Sequence, residues 1–152
     1  MLVAPHFLVG TAIAVYAPEA WPLAGLAALT SHFVLDSIPH RDTIGKTQLT
    51  LPNIAMQLFN VMIVAIIFWL IIPASLRIYT LVIGGVAIMP DLLALPFLFW
   101  PQLYKVPIIE QLHEWHTETL QNRNEAVNWF WGLLPQVLAV AVAVYFIITK
   151  PL

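Results

Sequence analysis

The residues of this chain best able to hold a metal or move a proton are five histidines and three aspartates, and four of the eight fall between positions 32 and 42. The densest stretch reads Ser31-His32-Phe33-Val34-Leu35-Asp36-Ser37-Ile38-Pro39-His40-Arg41-Asp42. His32 and Asp36 are four residues apart, so on a helix they share one face, about 6 Å apart in height. Two side chains can close that separation onto one cation. His40 would continue the face but lies a further turn away. Pro39 disfavours helical geometry at Ile38, so the helix is expected to end there and the chain to turn, bending His40 and Asp42 back toward the site. Neutral imidazole and carboxylate are ligands for zinc, and also for iron or manganese.

Further candidates lie downstream. Asp91 sits in Met89-Pro90-Asp91-Leu92 within an apolar stretch. Pro90 can loosen a helix and free backbone carbonyls, which makes Asp91 a ligand, a partner for a ligating histidine, or the cap of a kink. His113 and His116 are three residues apart and share a helix face. Glu110 can pair with His113 at the same spacing and is a candidate acid or base, alongside Asp36 and Asp91 as catalytic carboxylates. His6, after Pro5, joins the set by sidedness alone. The metal candidates are therefore His6, His32, Asp36, His40, Asp42, Asp91, His113 and His116. They exceed the four ligands of one tetrahedral zinc, so one or two divalent ions are expected, zinc foremost. Two ions roughly 3.5 to 4 Å apart would suit phosphoester hydrolysis. The plainer alternative is a buried His32–Asp36 pair that only locks helices together, with His40 and Asp42 as ordinary loop residues.

The elements that carry these residues are written in the composition. The chain is 61% hydrophobic and 9% charged, with a mean hydropathy of +0.86, against about 45 to 50% and about 25% for soluble domains. Water cannot be its main solvent. A spanning helix needs roughly 20 apolar residues, and Ile54–Ile72 and Trp129–Thr149 meet that. Leu76–Trp100 forms a third, interrupted by Pro90, Asp91 and Pro96. Pro5–Ala17 and Pro22–Ile38 make two shorter passes, the first marginal in length and either tilted or partly inserted. An apolar start ending in Ala-Val-Tyr-Ala resembles a signal peptide, but it lacks a charged n-region and Pro18 would follow the cut, so a retained helix is expected. Pro107–Leu120 reads as an amphipathic helix along the membrane surface, with Ile108, Ile109, Leu112 and Trp115 at helical spacing among Glu110, Glu114 and Glu118. The expectation is a single all-α domain over 1–152, a polytopic membrane bundle of about five passes plus that interfacial helix.

Five passes deliver His6, His32, Asp36, His40, Asp42, Asp91, His113 and His116 to one membrane face. Arg41, Lys46, Lys105 and Arg123 share it, against Arg77 and Lys150 opposite, so the positive-inside rule places it in the cytoplasm. The net charge of −2 argues against a nucleic-acid partner. The absence of cysteine excludes disulfides and thiolate zinc sites. The six tryptophans fall mostly at predicted ends of passes, as membrane anchors, and Gly84-Gly85 reads as close helix packing.

His6 with Gly10, the Ser-His-Phe-Val-Leu-Asp-Ser-Ile-Pro-His-Arg-Asp block, Met89-Pro90-Asp91 and the downstream histidine pair together resemble the membrane-bound metal-dependent hydrolases, small multi-pass proteins of bacteria and archaea. Members often carry a Pro-Asp-x-Asp element and a His-Arg-x-x-Thr-His-Ser element; here position 93 is Leu and the second element is absent. A looser local similarity links His32, Asp36, Pro39 and His40 to zinc-dependent phospholipase C. These resemblances imply a prokaryotic inner-membrane hydrolase of a lipid-borne ester or phosphoester, with water activated by the metal and membrane lipid as partner or substrate. The rival readings are a metal transporter or metal-binding regulator, and a non-catalytic membrane protein with a buried polar cluster. The oligomeric state is left open.

Overall fold

Long apolar runs satisfy their backbone without water only by forming helices or closed barrels, and here they form helices. The computed structural model describes residues 1–41, 51–92, 100, 102, 105–120 and 127–150, at 52, 53, 113 and 117–119 by their backbone alone. Helix α1 spans Val3–Tyr16, α2 Trp21–Ser37, α3 Leu51–Ile71, α4 Arg77–Leu92, α5 Pro107–Glu114 and α6 Trp129–Thr149. A 3-10 turn at Ala74–Leu76 leads into α4, and a π-helical segment, Trp115–Leu120, continues α5. No strand occurs among the described residues, in keeping with the all-α expectation.

Three stretches are long and apolar enough to cross a membrane: Ile54–Ile71, Ala74–Leu92 and Trp129–Thr149. The other two expected passes are shorter, 14 residues in α1 and 17 in α2. The long helices turn large apolar side chains outward, among them Leu58, Leu70, Ile78, Val137 and Ile148. Soluble monomers rarely expose contiguous apolar surface on that scale, whereas lipid is the natural solvent for it. Trp21, Trp69, Trp129 and Trp131 stand exposed at or close to helix ends, where headgroup anchors belong.

The shortest of these apolar helices is the central one. Helix α1 packs against α2, α3, α4 and α6, and residues on different sides of it are buried, including Pro5, His6, Phe7 and Leu8. A helix apolar all round is one that neighbours enclose. Its crossing with α4 is close. A Cβ on Gly10 would fall 2.6 Å from the Ala87 Cβ and 3.2 Å from the Gly84 Cα, and one on Gly84 would fall 2.8 Å from the Phe7 ring. A Cβ on Gly85 would meet open space, so the packing role expected of the glycine pair belongs to Gly84.

The two ends of the bundle differ in chemistry. At one end, Tyr79 donates to the Ala17 carbonyl at 2.6 Å, Lys150 to the Val15 carbonyl and Tyr16 to the Phe146 carbonyl at 3.2 Å. There too Arg77 donates to the Ile72 carbonyl at 3.1 Å and lies over the Trp69 ring. The other end gathers the start of α1, the ends of α2 and α4, and the start of α6. His6, His32, Asp36, His40, Asp91 and His116 are there.

Candidate metal centre

Asp36, on the last turn of α2, is fully buried, and its two oxygens face different partners. Oδ2 lies 3.0 Å from His116 Nε2 and 3.2 Å from His32 Nε2. Oδ1 lies 2.6 Å from the amino nitrogen of Met1, 3.1 Å from His6 Nε2 and 3.9 Å from His40 Nε2. His32 Nε2 and His116 Nε2 are 3.1 Å apart, and Asp91 Oδ1 is 3.6 Å from the first and 4.0 Å from the second. One ligand atom from each of His32, Asp36, Asp91 and His116 lies within 4.8 Å of all the others. Metal–ligand bonds of about 2.0 to 2.2 Å put neighbouring donors roughly 3.3 Å apart around a tetrahedral ion. The closest three separations in this group match that edge.

The orientation of His32 sharpens the case. Its Nδ1 lies 2.8 Å from the Ala87 carbonyl, an acceptor, so Nδ1 carries the proton and donates. A neutral ring then has its lone pair on Nε2, directed at the Asp36 carboxylate. A contact of 3.2 Å between that nitrogen and a carboxylate oxygen needs a positive centre, which is a second proton on His32, a proton from His116 or a metal ion. Anchoring of the far ring nitrogen to a carbonyl is how ligating histidines are usually held. His40 follows the same pattern, with Nδ1 donating to the Ile38 carbonyl at 2.7 Å and Nε2 turned toward Asp36.

Local sequence explains the placement. Helix α2 ends at Ser37 and Ile38 is extended (φ −78°, ψ 128°), as Pro39 demands, so His40 folds back and is buried against Asp36. Pro90 lies inside α4 without breaking it; lacking an N–H, it deprives the Val86 carbonyl of its helical partner. The carbonyl that His32 uses is the neighbouring one, on Ala87. His116 sits in the π-helical segment, whose wider winding interrupts the α5 phase and is frequent at functional sites. Phe33 and Trp115 flank it, with ring centroids 5.4 Å apart and Phe33 edge-on to His116. The site opens on this side: the Asp91 side chain is 30% exposed and that of His116 12%, against 0% for His32 and Asp36.

Of the residues singled out in the sequence, His6, His32, Asp36, His40, Asp91 and His116 therefore come together. Glu110 is exposed on α5 and stands outside the four-donor group. Asp42 and the side chain of His113 lie outside the described residues.

Other residues support the site that spacing did not single out. Gln136 is buried in α6; its Oε1 accepts from Leu2 N at 3.0 Å, and its Nε2 donates to the Arg41 carbonyl at 2.8 Å and the Gly132 carbonyl at 2.9 Å. It ties the start of α1 and the segment just after His40 to one helix. Arg41 N donates to the Gly132 carbonyl at 3.0 Å, and its guanidinium to the Val127 carbonyl while lying over Trp129. A Cβ on Gly132 would fall 2.5 Å from the Arg41 nitrogen, so only glycine admits this approach. Asn60 on α3 accepts from Ala4 N at 2.7 Å. The available signal was an amide inside an otherwise apolar span, which needs a partner there.

Comparison with protein-family models, with curated proteins and with solved structures returns no match to this chain.

Proposed function

We propose that the chain is an integral membrane hydrolase that uses a divalent ion, zinc first among the choices, held by His32, Asp36, Asp91 and His116. The observation that carries this reading is the gathering of four donors within 4.8 Å of one another, with His32 Nε2 and Asp36 Oδ2 3.2 Å apart. Ionisable side chains inside a membrane segment cost on the order of 2.5 to 3.5 kcal/mol each, and one divalent cation offsets several of them together. Bound there, the ion would supply Lewis-acid polarisation of an ester or phosphoryl oxygen and lower the pKa of water to about 7.

The chain's own residues supply position and access. His32 and Asp36 are fixed by burial and by the Ala87 carbonyl; Asp91 and His116 border the open side, where a carboxylate can accept the proton of an attacking water. The overall reaction adds water across the ester bond and releases an alcohol and an acid. Phe33 and Trp115 pack beside His116, and α5 exposes the apolar Ile108 and Leu112, surface suited to acyl chains. A substrate with its head in water and its tail in lipid fits this boundary, and the resemblance to membrane-bound metal-dependent hydrolases favours the same class. In this reading the chain makes five passes through a prokaryotic inner membrane, and the site faces the cytoplasm.

The test combines metal content and turnover. The chain purified in detergent without chelator should carry zinc or another divalent ion and should hydrolyse at least one member of a panel of phospholipids and carboxylic esters, losing activity with a chelator. Absence of bound metal together with unchanged stability in His32→Ala would favour a second reading, a polar cluster that only joins helices. The contact of Met1 and His6 nitrogens with Asp36 is what supports that alternative. A transit site for ions is the weaker rival: the far end of the bundle presents Glu19, Arg77 and Lys150 and no matching donor set among the described residues. Cation flux in loaded vesicles would restore it.

A further inference from the structure

We propose that Asp36 bridges two cations, and that a second divalent ion binds on its Oδ1 side with His6 and His40 as nitrogen ligands. This inference rests on the metal centre proposed above for the Oδ2 side, and extends it to residues outside that four-donor group. Each oxygen of Asp36 has a buried histidine nitrogen at a similar distance, beside the Met1 nitrogen at 2.6 Å on Oδ1 and His116 Nε2 at 3.0 Å on Oδ2. Oδ2 has His32 Nε2 at 3.2 Å and Oδ1 has His6 Nε2 at 3.1 Å. Both distances suit two ligands of a common ion, since donors around a tetrahedral metal lie roughly 3.3 Å apart. A further nitrogen faces Oδ1, with His40 Nε2 at 3.9 Å.

The strongest geometric point is the relation between the two inner histidines. The His6 and His32 rings are stacked, with centroids 4.2 Å apart and planes 26° from parallel. Each sends its Nε2 to a different oxygen of one carboxylate. The stack places the two Nε2 atoms side by side, one at each oxygen, so that ions held by them would share the Asp36 carboxylate. His40 adds an Nδ1 anchored on the Ile38 carbonyl, which leaves the lone pair of a neutral ring on the nitrogen turned toward Asp36. His6 Nδ1 is buried without a hydrogen-bond partner among the described residues, so the interactions of this ring are directed through Nε2.

The rival occupant is the Met1 nitrogen, 2.6 Å from Oδ1. With that group and a protonated His6 Nε2 in place, Oδ1 is satisfied as a hydrogen-bond acceptor and no second ion is called for. A bound ion would instead displace the Met1 nitrogen from Oδ1.

The experiment uses the full chain in detergent, stripped of metal and titrated with Mn2+ alone, followed by binding stoichiometry and electron paramagnetic resonance. Two equivalents with the spectrum of a spin-coupled pair are expected. His40→Ala should reduce this to one equivalent and replace the pair signal by that of an isolated ion, whereas Asp36→Asn should lose both. The wild-type spectrum needs no variant to fold. One equivalent in the wild type, or two without coupling, overturns the bridge while leaving the metal centre of the Oδ2 side intact. No binding at all overturns both.

Discussion

Asp36 is one carboxylate surrounded by nitrogens from α1, α2, the turn after α2 and the π-helical segment, and its substitution tests the site most directly. Asp36→Asn preserves shape but replaces one oxygen by an NH2 that donates toward histidine nitrogens and carries no charge. Ligand that binds only the native state at 100 times its dissociation constant stabilises by about 2.7 kcal/mol. Zinc is therefore expected to raise the thermal midpoint of the wild type in detergent, and to leave that of Asp36→Asn unmoved; equal shifts in both would remove Asp36 from the site. His116→Ala should weaken metal binding by more than the roughly 10- to 100-fold typical of losing an outer-shell partner, read by competition with a chelating dye. Much of this was legible in the sequence. The four-residue spacing of His32 and Asp36 placed them on one face, and Pro39 accounted for the return of His40. His116 could not be separated from His113 by spacing, because the phase on which that comparison rests changes where the α5 winding widens.

At the scale of elements, the site depends on how closely two pairs of helices approach. Helix α1 meets α4 across Gly10 and Gly84, and the same contact holds the Ala87 carbonyl where His32 Nδ1 reaches it. Gly10→Val would press on Ala87 and push α4 outward. Overpacking of this kind costs about 1 to 3 kcal/mol, and loosened metal retention should accompany the fall in thermal midpoint; a stability loss with full metal retention would show the crossing and the site to be independent. The second approach is that of the Arg41 segment to α6. Gln136→Leu removes three hydrogen bonds and leaves buried backbone groups without partners, at about 1 to 3 kcal/mol for each group left unsatisfied. Because Gln136 touches no proposed ligand, a drop in metal affinity in this variant would report on positioning of the His40 turn and the start of α1. Sequence patterns showed the helices but not their arrangement. A short apolar run such as α1 has no polar face to indicate its neighbours, so its central place follows from close packing at glycines that no periodicity marks.

For the molecule as a whole, the deciding property is the polarity of the bundle in a membrane. Three long apolar stretches with outward Leu, Ile and Val side chains suit lipid contact, and the chain is expected to stay with the membrane pellet after alkaline carbonate extraction. The donor end and the Arg77–Lys150 end are opposite, so if α1 and α2 also cross, the turn between them and the start of α5 lie on different sides. The sequence has no cysteine of its own, which permits a clean measurement. Glu19 lies exposed in the α1–α2 turn and Glu110 lies exposed on α5. Glu19→Cys should react with a membrane-impermeant maleimide from outside intact cells, while Glu110→Cys should react only after the inner membrane is opened. The reverse pattern would turn the proposed metal centre to the outer face and leave the proposal of five passes standing. Labelling of both from one side would mean that α1 and α2, at 14 and 17 residues, do not both cross, and the shared-face explanation for the histidines and aspartates would fail with them.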